Sequence, residues 1–231
     1  MKVKIIRAGN IISKSIIHPT HSGRSPRSKK KNPTIDCAKR NNYNQKLEKL
    51  TGLLNCNFYD TCYFVTLTFA KPPKDVNEAE RCKKAFVRKL RSKLCEEGKE
   101  LRWIAIYESH DSRPHYHFIL NYGDEIKIGK LWSHGMVQIK KCASGDRLPI
   151  AQYLLKQEKE MLTTAAAKKT GTYQSYTRSR NLDKPSIEIT EDCYYPEPDE
   201  GFTIIDSYDY ISDVTGLRKA GCRMERIHPA T

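Results

Sequence analysis

The stretch from Cys62 to Leu120 constrains the fold most, because its hydrophobic period changes from two residues to about 3.6 and back again. Tyr63 to Phe69 is a run of β-branched and aromatic residues and reads as a strand. Pro72, Pro73 and Asp75 end it and lead into a helix from about Asn77 to Glu97. The apolar stripe of that helix is Ala79, Cys82, Phe86, Leu90 and Leu94, while Lys83, Lys84, Arg88, Lys89, Arg91 and Lys93 occupy its other faces. Two alternating runs follow, Leu101 to Glu108 and His115 to Leu120. The turn-rich Ser109 to Pro114 between them predicts an antiparallel hairpin.

Beyond the hairpin the pattern predicts a short helix near Asp124 to Trp132, a strand near Met136 to Lys140 opened by Gly135, and a helix near Leu148 to Glu160. The order β, α, β, β, α, β, α implies an α+β fold. It calls for a mostly antiparallel sheet of the split βαβ (ferredoxin- or RRM-like) type, with helices on one face and a working site on the other. After Thr170 the periodicity fades; Pro196 to Gly201 reads as an acidic turn, and only Phe202 to Ile211 looks ordered. For 231 residues the expected organisation is a basic, partly disordered arm over 1–50, a folded domain over 51–180 and an acidic segment over 181–231. The arm is expected to be disordered between His18 and Asn42, where Ser22, Gly23, Pro26 and Pro33 surround a run of cations.

The formal charge of +14 is unevenly spread, at +11 over residues 1–50, +9 over 51–180 and −6 over 181–231. Lys and Arg gain affinity for nucleic acid by releasing its condensed counterions, so a basic arm and a basic centre point to that partner. Lipid is the competing polyanion, but no stretch approaches the apolar length of a membrane span. The basic start lacks the continuous apolar run of a secretory signal, because Ser13, Lys14 and Ser15 interrupt its isoleucines. A cytoplasmic protein with no membrane partner is therefore expected. The eight cysteines include no CxxC pair, which argues for reduced, structural thiols.

Strand parity separates a buried face from a working one. Val65, Leu67, Phe69, Trp103, Ala105, Tyr107, Tyr116, Phe118 and Leu120 share the apolar side, and the opposite side collects Thr66, Thr68, Glu108, His115 and His117. If residues 109–114 form the hairpin loop, Glu108 lies directly across from His115, with His117 two residues along. Two imidazoles and one carboxylate on one face form a candidate divalent-metal site. An isolated HxH on a strand is more often mere surface polarity, and the cross-strand Glu108 tips that balance.

Tyr153 and Lys156 stand three apart, so on a helix they are neighbours that can be laid over the histidines. A tyrosine hydroxyl is mostly protonated at neutral pH and needs a nearby cation or an activated electrophile to act as a nucleophile. Metal on a phosphodiester oxygen would polarise the phosphorus, and Lys156 could stabilise the charge that develops. Standing alone among 13 tyrosines, Tyr153 would be read as an amphipathic core residue.

Phe64 to Phe69 (FVTLTF), His115 to His117 (HYH) and Tyr153 to Lys156 (YLLK), in this order, resemble the three motifs of HUH endonucleases of the rolling-circle replication initiator class. The likeness is to the replication-associated proteins of small phages and plasmids, and LeuTrpSerHisGly at 131–135 and SerArgAsnLeuAspLysPro at 179–185 add to it. The resemblance covers roughly residues 60–185. It implies Mg²⁺ or Mn²⁺ on His115 and His117, with Glu108 as third ligand, Tyr153 as nucleophile and Lys156 as the motif lysine. It further implies nicking of single-stranded DNA at a replication origin through a 5′-phosphotyrosyl intermediate, in a bacterial host if phage- or plasmid-encoded. Host helicase and DNA polymerase would be the partners, since the chain has no GxxxxGK[ST] loop. Conjugative relaxases place the tyrosine before the histidines and fit less well. Initiators with two tyrosines on one helix also fit less well, because Lys156 stands at the second position and Tyr173 and Tyr176 lie beyond it.

Arg113, Thr66 and Thr68 are the DNA-contact candidates on proximity, whereas Arg88 and Arg91 read equally well as a solvated helix face. A single-tyrosine HUH transposase is the nearer alternative, to be told apart by its DNA target. A non-catalytic single-strand-binding module would bind without metal and leave no covalent product. A non-haem iron oxygenase also uses two histidines and a carboxylate, but leaves Tyr153 and the basic charge without a role.

Overall fold

The computed structural model describes residues 2–18, 36–109, 113–156, 176–191, 197–213 and 216–227. In chain order the elements are β1 (Lys2–Ala8), β2 (Ile11–Ile17), α1 (Asp36–Phe58), β3 (Cys62–Thr68), α2 (Val76–Glu96), β4 (Trp103–Glu108) and β5 (His115–Leu120). They continue with α3 (Glu125–Leu131), β6 (Val137–Cys142), α4 (Leu148–Leu154), β7 (Thr177–Arg178), β8 (Ser186–Thr190), β9 (Phe202–Ile211) and β10 (Arg218–Arg226). The chain divides into two compact units, Asn57–Gly145 with Gln152–Leu182, and Met1–Cys56 with Asp146–Ala151 and Asp183–Thr231.

The first of these units holds a five-stranded sheet in the order β6-β3-β5-β4-β7, antiparallel throughout. Its apolar face is the one expected from strand parity: Val65, Leu67, Trp103, Ala105, Tyr116 and Phe118 are buried with Phe86, Leu90 and Leu94 of α2 and Ile128 of α3. Asp75 starts α2 by accepting a hydrogen bond from Glu78 N at 2.7 Å, and Asp124 does the same for α3 from Lys127 N at 3.0 Å. Each of these strands and helices is the predicted one, displaced by a residue or two at its ends. The last predicted helix is shorter than expected over the described residues, since α4 ends at Leu154 and residues 157–160 lie outside them. Strand β7 has no counterpart among the predicted elements; its two residues pair with Ile104 and Ala105.

One glycine is required by close approach. A Cβ on Gly135 would sit 2.2 Å from the Thr68 carbonyl oxygen and 2.8 Å from Ala70 N, because the chain enters β6 hard against the end of β3. The adjoining Trp132 ring is buried in the core and its indole N–H donates to the same Thr68 carbonyl at 2.9 Å.

In the second unit a five-stranded antiparallel sheet runs β8-β1-β2-β10-β9. Val3, Ile12, Ile16, Ala220, Cys222 and Met224 form its core, and Leu50, Leu53 and Leu54 of α1 are buried as well. Here the structure divides the chain differently from the expected 1–50, 51–180 and 181–231. Residues 2–17, read as part of a basic arm, are two strands at the centre of this sheet, and the acidic segment contributes β8, β9 and β10. Helix α1 begins at Asp36, inside the stretch expected to be disordered, while residues 19–35 lie outside the described residues. The physical reason is pairing at long range: β2 completes its ladder with β10, some two hundred positions away, where no local pattern announces it.

Candidate active site

The hairpin expected from the sequence forms in the expected register, Glu108 opposite His115 and Ile106 opposite His117. On the neighbouring strand Thr66 lies opposite His117 and Thr68 opposite His115. Alternation along three paired strands thus brings Glu108, His115, His117, Thr66 and Thr68 onto one face. That face is less polar than expected, because Ile104, Ile106 and Ile119 share it and are buried. Glu108 and His117 are also buried, at 3% and 5% exposure, so the polar cluster sits in a desolvated floor.

One ligand atom from each of Glu108, His115 and His117 lies within 4.8 Å of the other two. His115 Nε2 is 3.4 Å and His117 Nε2 is 3.7 Å from Glu108 Oε2, and the two Nε2 atoms are 3.1 Å apart. Their Nδ1 atoms point away from one another, His115 Nδ1 donating to the Arg113 carbonyl at 2.8 Å and His117 Nδ1 meeting Thr66 Oγ1 at 3.2 Å. Hydrogen bonds on Nδ1 leave the Nε2 lone pairs free to converge, the usual support for metal-ligating imidazoles. Glu108 Oε1 is buried and has no hydrogen-bond partner among the described residues. A buried carboxylate oxygen without a donor is costly, and a cation removes that cost. The residues therefore fit a metal ion, and the cluster could hold one.

Electrostatics separates the two histidines. Burial pushes the His117 pKa down to about 4, which keeps the ring neutral near pH 7. His115 is raised above the ordinary imidazole value, chiefly by its hydrogen bond to Glu108, with burial opposing and the Arg113 carbonyl assisting. Burial raises the Glu108 pKa, but the His115 hydrogen bond and the charges of His117, Lys156 and His115 together overcome it, leaving the carboxyl below its ordinary value.

The predicted helix also reaches this face. Tyr153 of α4 lies edge-on to Phe64 and against His117, each with ring centroids 5.5 Å apart, and is 43% exposed. Lys156 Nζ sits 4.4 Å from the Tyr153 ring centroid and 3.8 Å from Glu108 Oε2, bridging tyrosine and carboxylate. Leu154 and Leu155 are buried, which turns Tyr153 outward on the opposite side of the turn.

Of the three DNA-contact candidates, Arg113 is exposed at the entry to β5, while Thr66 supports His117. Thr68 is committed to backbone, its hydroxyl donating to Met136 O at 3.2 Å and accepting from Met136 N at 3.0 Å. Tyr173 lies outside the described residues, and Tyr176 directly precedes β7. Sequence reasoning missed Phe64, which packs on both His117 and Tyr153 although its parity with Thr66 could have placed it. It also missed Gln138 and Lys140, exposed residues that the β3–β6 register puts opposite Thr66 and Phe64 on the same face. Only that register reveals them.

Fold and site together define an α+β protein with a two-histidine, one-carboxylate cluster and a neighbouring tyrosine–lysine pair. Residues 62–158, which include all five of those side chains, match the family of replication-associated proteins of the ORF2 type. A solved structure, the hypothetical protein ORF119 from Sulfolobus islandicus rod-shaped virus 1, is similar at 22% identity and a TM-score of 0.36, over 48% of this chain and 91% of that one. No curated protein matches the chain. No helix of the described residues is long and apolar enough to cross a membrane.

Proposed function

We propose that this protein nicks and rejoins single-stranded DNA at a replication origin, with Tyr153 as the nucleophile and a Mg²⁺ or Mn²⁺ ion held by Glu108, His115 and His117. The observation that carries this reading is the convergence of Tyr153 and Lys156 on the His117 and Glu108 end of the cluster. The match to a replication-associated family supports the setting. When bound, the ion supplies Lewis-acid polarisation of a phosphoryl oxygen.

The chain's own residues account for the remaining chemistry. The Tyr153 oxygen attacks the scissile phosphorus, its proton passing to the water that reaches this exposed ring, and the bond to the 3′ oxygen breaks. The departing oxygen takes up a proton and becomes a free 3′-hydroxyl, a primer for a host polymerase. Lys156 places a cation beside both the attacking phenol and the carboxylate, where it offsets charge developing at phosphorus. Because the diester is exchanged and not hydrolysed, a later 3′-hydroxyl can attack the phosphotyrosine and reseal the strand.

The test is incubation with origin-derived single-stranded oligonucleotides in Mn²⁺ or EDTA, read as a covalent shift on a denaturing gel. The expected result is a metal-dependent adduct that Tyr153→Phe abolishes while DNA binding persists. Tight binding without an adduct under any metal condition would overturn the reading in favour of a binding module.

A further inference from the structure

We infer that the unit carrying Glu108, His115 and His117 has a second nucleic-acid contact, a phosphate-binding groove on the α2 side of its sheet. The groove has a volume of about 830 Å³ and runs between the C-terminal end of α2 and the β7 edge, with Arg91, Cys95, Lys99, Trp103, Arg178 and Arg180 among its walls. Trp103 belongs to the apolar face and Glu108 to the other, so groove and metal cluster lie on opposite sides of one strand.

Four cations and one acid, Glu100, line the groove. Lys99 is paired with Glu97 at 2.9 Å and Glu100 lies 3.8 Å from Arg102. Arg91, Arg178 and Arg180 are exposed and have no ion pair among the described residues, whereas Lys93, Lys127, Arg218 and Arg223 each have one. Three unneutralised guanidinium groups around one concavity repel each other unless an anion joins them. Two of them are held in place: Ser179 between Arg178 and Arg180 is 3% exposed. It donates from its N to Trp103 O at 2.9 Å and accepts from Trp103 N at 3.1 Å on its Oγ. Asn181 Nδ2 extends the anchor to Leu101 O at 3.1 Å. Pinned guanidinium groups suit the bidentate geometry of phosphate and lose little freedom on binding it. The spacing over so wide a groove suits a run of phosphodiesters better than a single small anion. This also gives a role to the SerArgAsnLeuAspLysPro segment at 179–185, which the metal cluster leaves unexplained.

The inference shares with the proposed function only the premise that the ligand is DNA, and the two fail separately. The first measurement is the affinity of the full chain for a labelled single strand of about thirty nucleotides, in EDTA, by fluorescence anisotropy across a salt series. Combined Arg91→Ala, Arg178→Ala and Arg180→Ala replacement should weaken binding at least about tenfold and flatten the logarithmic salt slope by about two. The corresponding lysine replacements should retain most of the slope. Unchanged affinity and slope in the alanine variant would overturn the inference. The second measurement needs no variant: Cys95 is an exposed free thiol in the groove wall, so saturating DNA should slow its alkylation several-fold, as followed by peptide mass. An unaltered rate, or protection by inorganic phosphate but not by DNA, would also overturn it. Covalent adduct formation on a short oligonucleotide should survive the alanine replacements. Absence of adduct in the unmodified protein would strike the proposed function and leave the groove's test intact.

Discussion

The two histidines share a carboxylate yet respond oppositely to pH, because one is defined by a partner and the other by burial. A raised His115 pKa means that its pairing with Glu108 stabilises the metal-free protein fully below the ordinary imidazole range and is lost as pH rises through the raised value. Metal binding has the opposite sense, since a protonated His115 cannot ligate. Mn²⁺ affinity, followed by calorimetry from about pH 5 to about pH 8, should therefore fall as pH drops through the His115 transition, with His117 staying neutral until about 4. Thr66→Val removes the oxygen that orients His117 and should weaken Mn²⁺ binding about tenfold with little change in stability, a split that calorimetry and thermal melting together would read. Strand parity alone makes Glu108, His115, His117 and Thr66 readable as one face. It does not reveal that Thr68 spends its hydroxyl on Met136, because that contact depends on how the chain returns into β6.

At the scale of elements, ends are set by single polar side chains and by single close approaches. Asp75→Ala removes the acceptor for Glu78 N at the start of α2 and should cost about 1 kcal/mol, measured by urea unfolding. Gly135→Ala drives a methyl group onto the Thr68 carbonyl and should cost about 1–3 kcal/mol, with the loss concentrated in exchange protection around β3 and β6. The periodicities of β3, α2, β4 and β5 are legible because each buries one side on the same core. The β1–β2 hairpin carries a fainter local signal. Gly9 and Asn10 join Ala8 to Ile11 as a two-residue loop, with Gly9 at φ +60°, the position where glycine costs nothing. Flanking runs rich in isoleucine suit a hairpin, but the interrupting Ser13, Lys14 and Ser15 blur the alternation and let charge dominate the pattern.

On the scale of the whole molecule, the chain's two ends are structural and not appendages. Cutting after Leu182 removes β8, β9 and β10 and leaves only β1 and β2 of a five-stranded sheet. An isolated two-stranded hairpin is marginal in water, so residues 2–17 of the shortened chain should lose amide-exchange protection. Retained protection there would contradict the sheet order. The acidic balance of the C-terminal segment also takes a local meaning, as Asp206 and Asp209 pair with Arg223 and Arg218 across the β9–β10 ladder.

The sequence by itself determined the α+β character, the order of strands and helices from Cys62 to α4, and the candidate set Glu108, His115, His117, Tyr153 and Lys156. Those features follow from local periodicity and from one short hairpin, in which residue spacing dictates which side chains share a face. Only the tertiary structure decided that residues 2–17 pair with residues near the other end of the chain, that Gln138 and Lys140 join the working face, and that Arg91 meets Arg178 and Arg180 around a groove. Each of these depends on contacts between segments far apart in sequence, whose free energy comes from burial and register between elements and leaves no periodic trace in either segment alone.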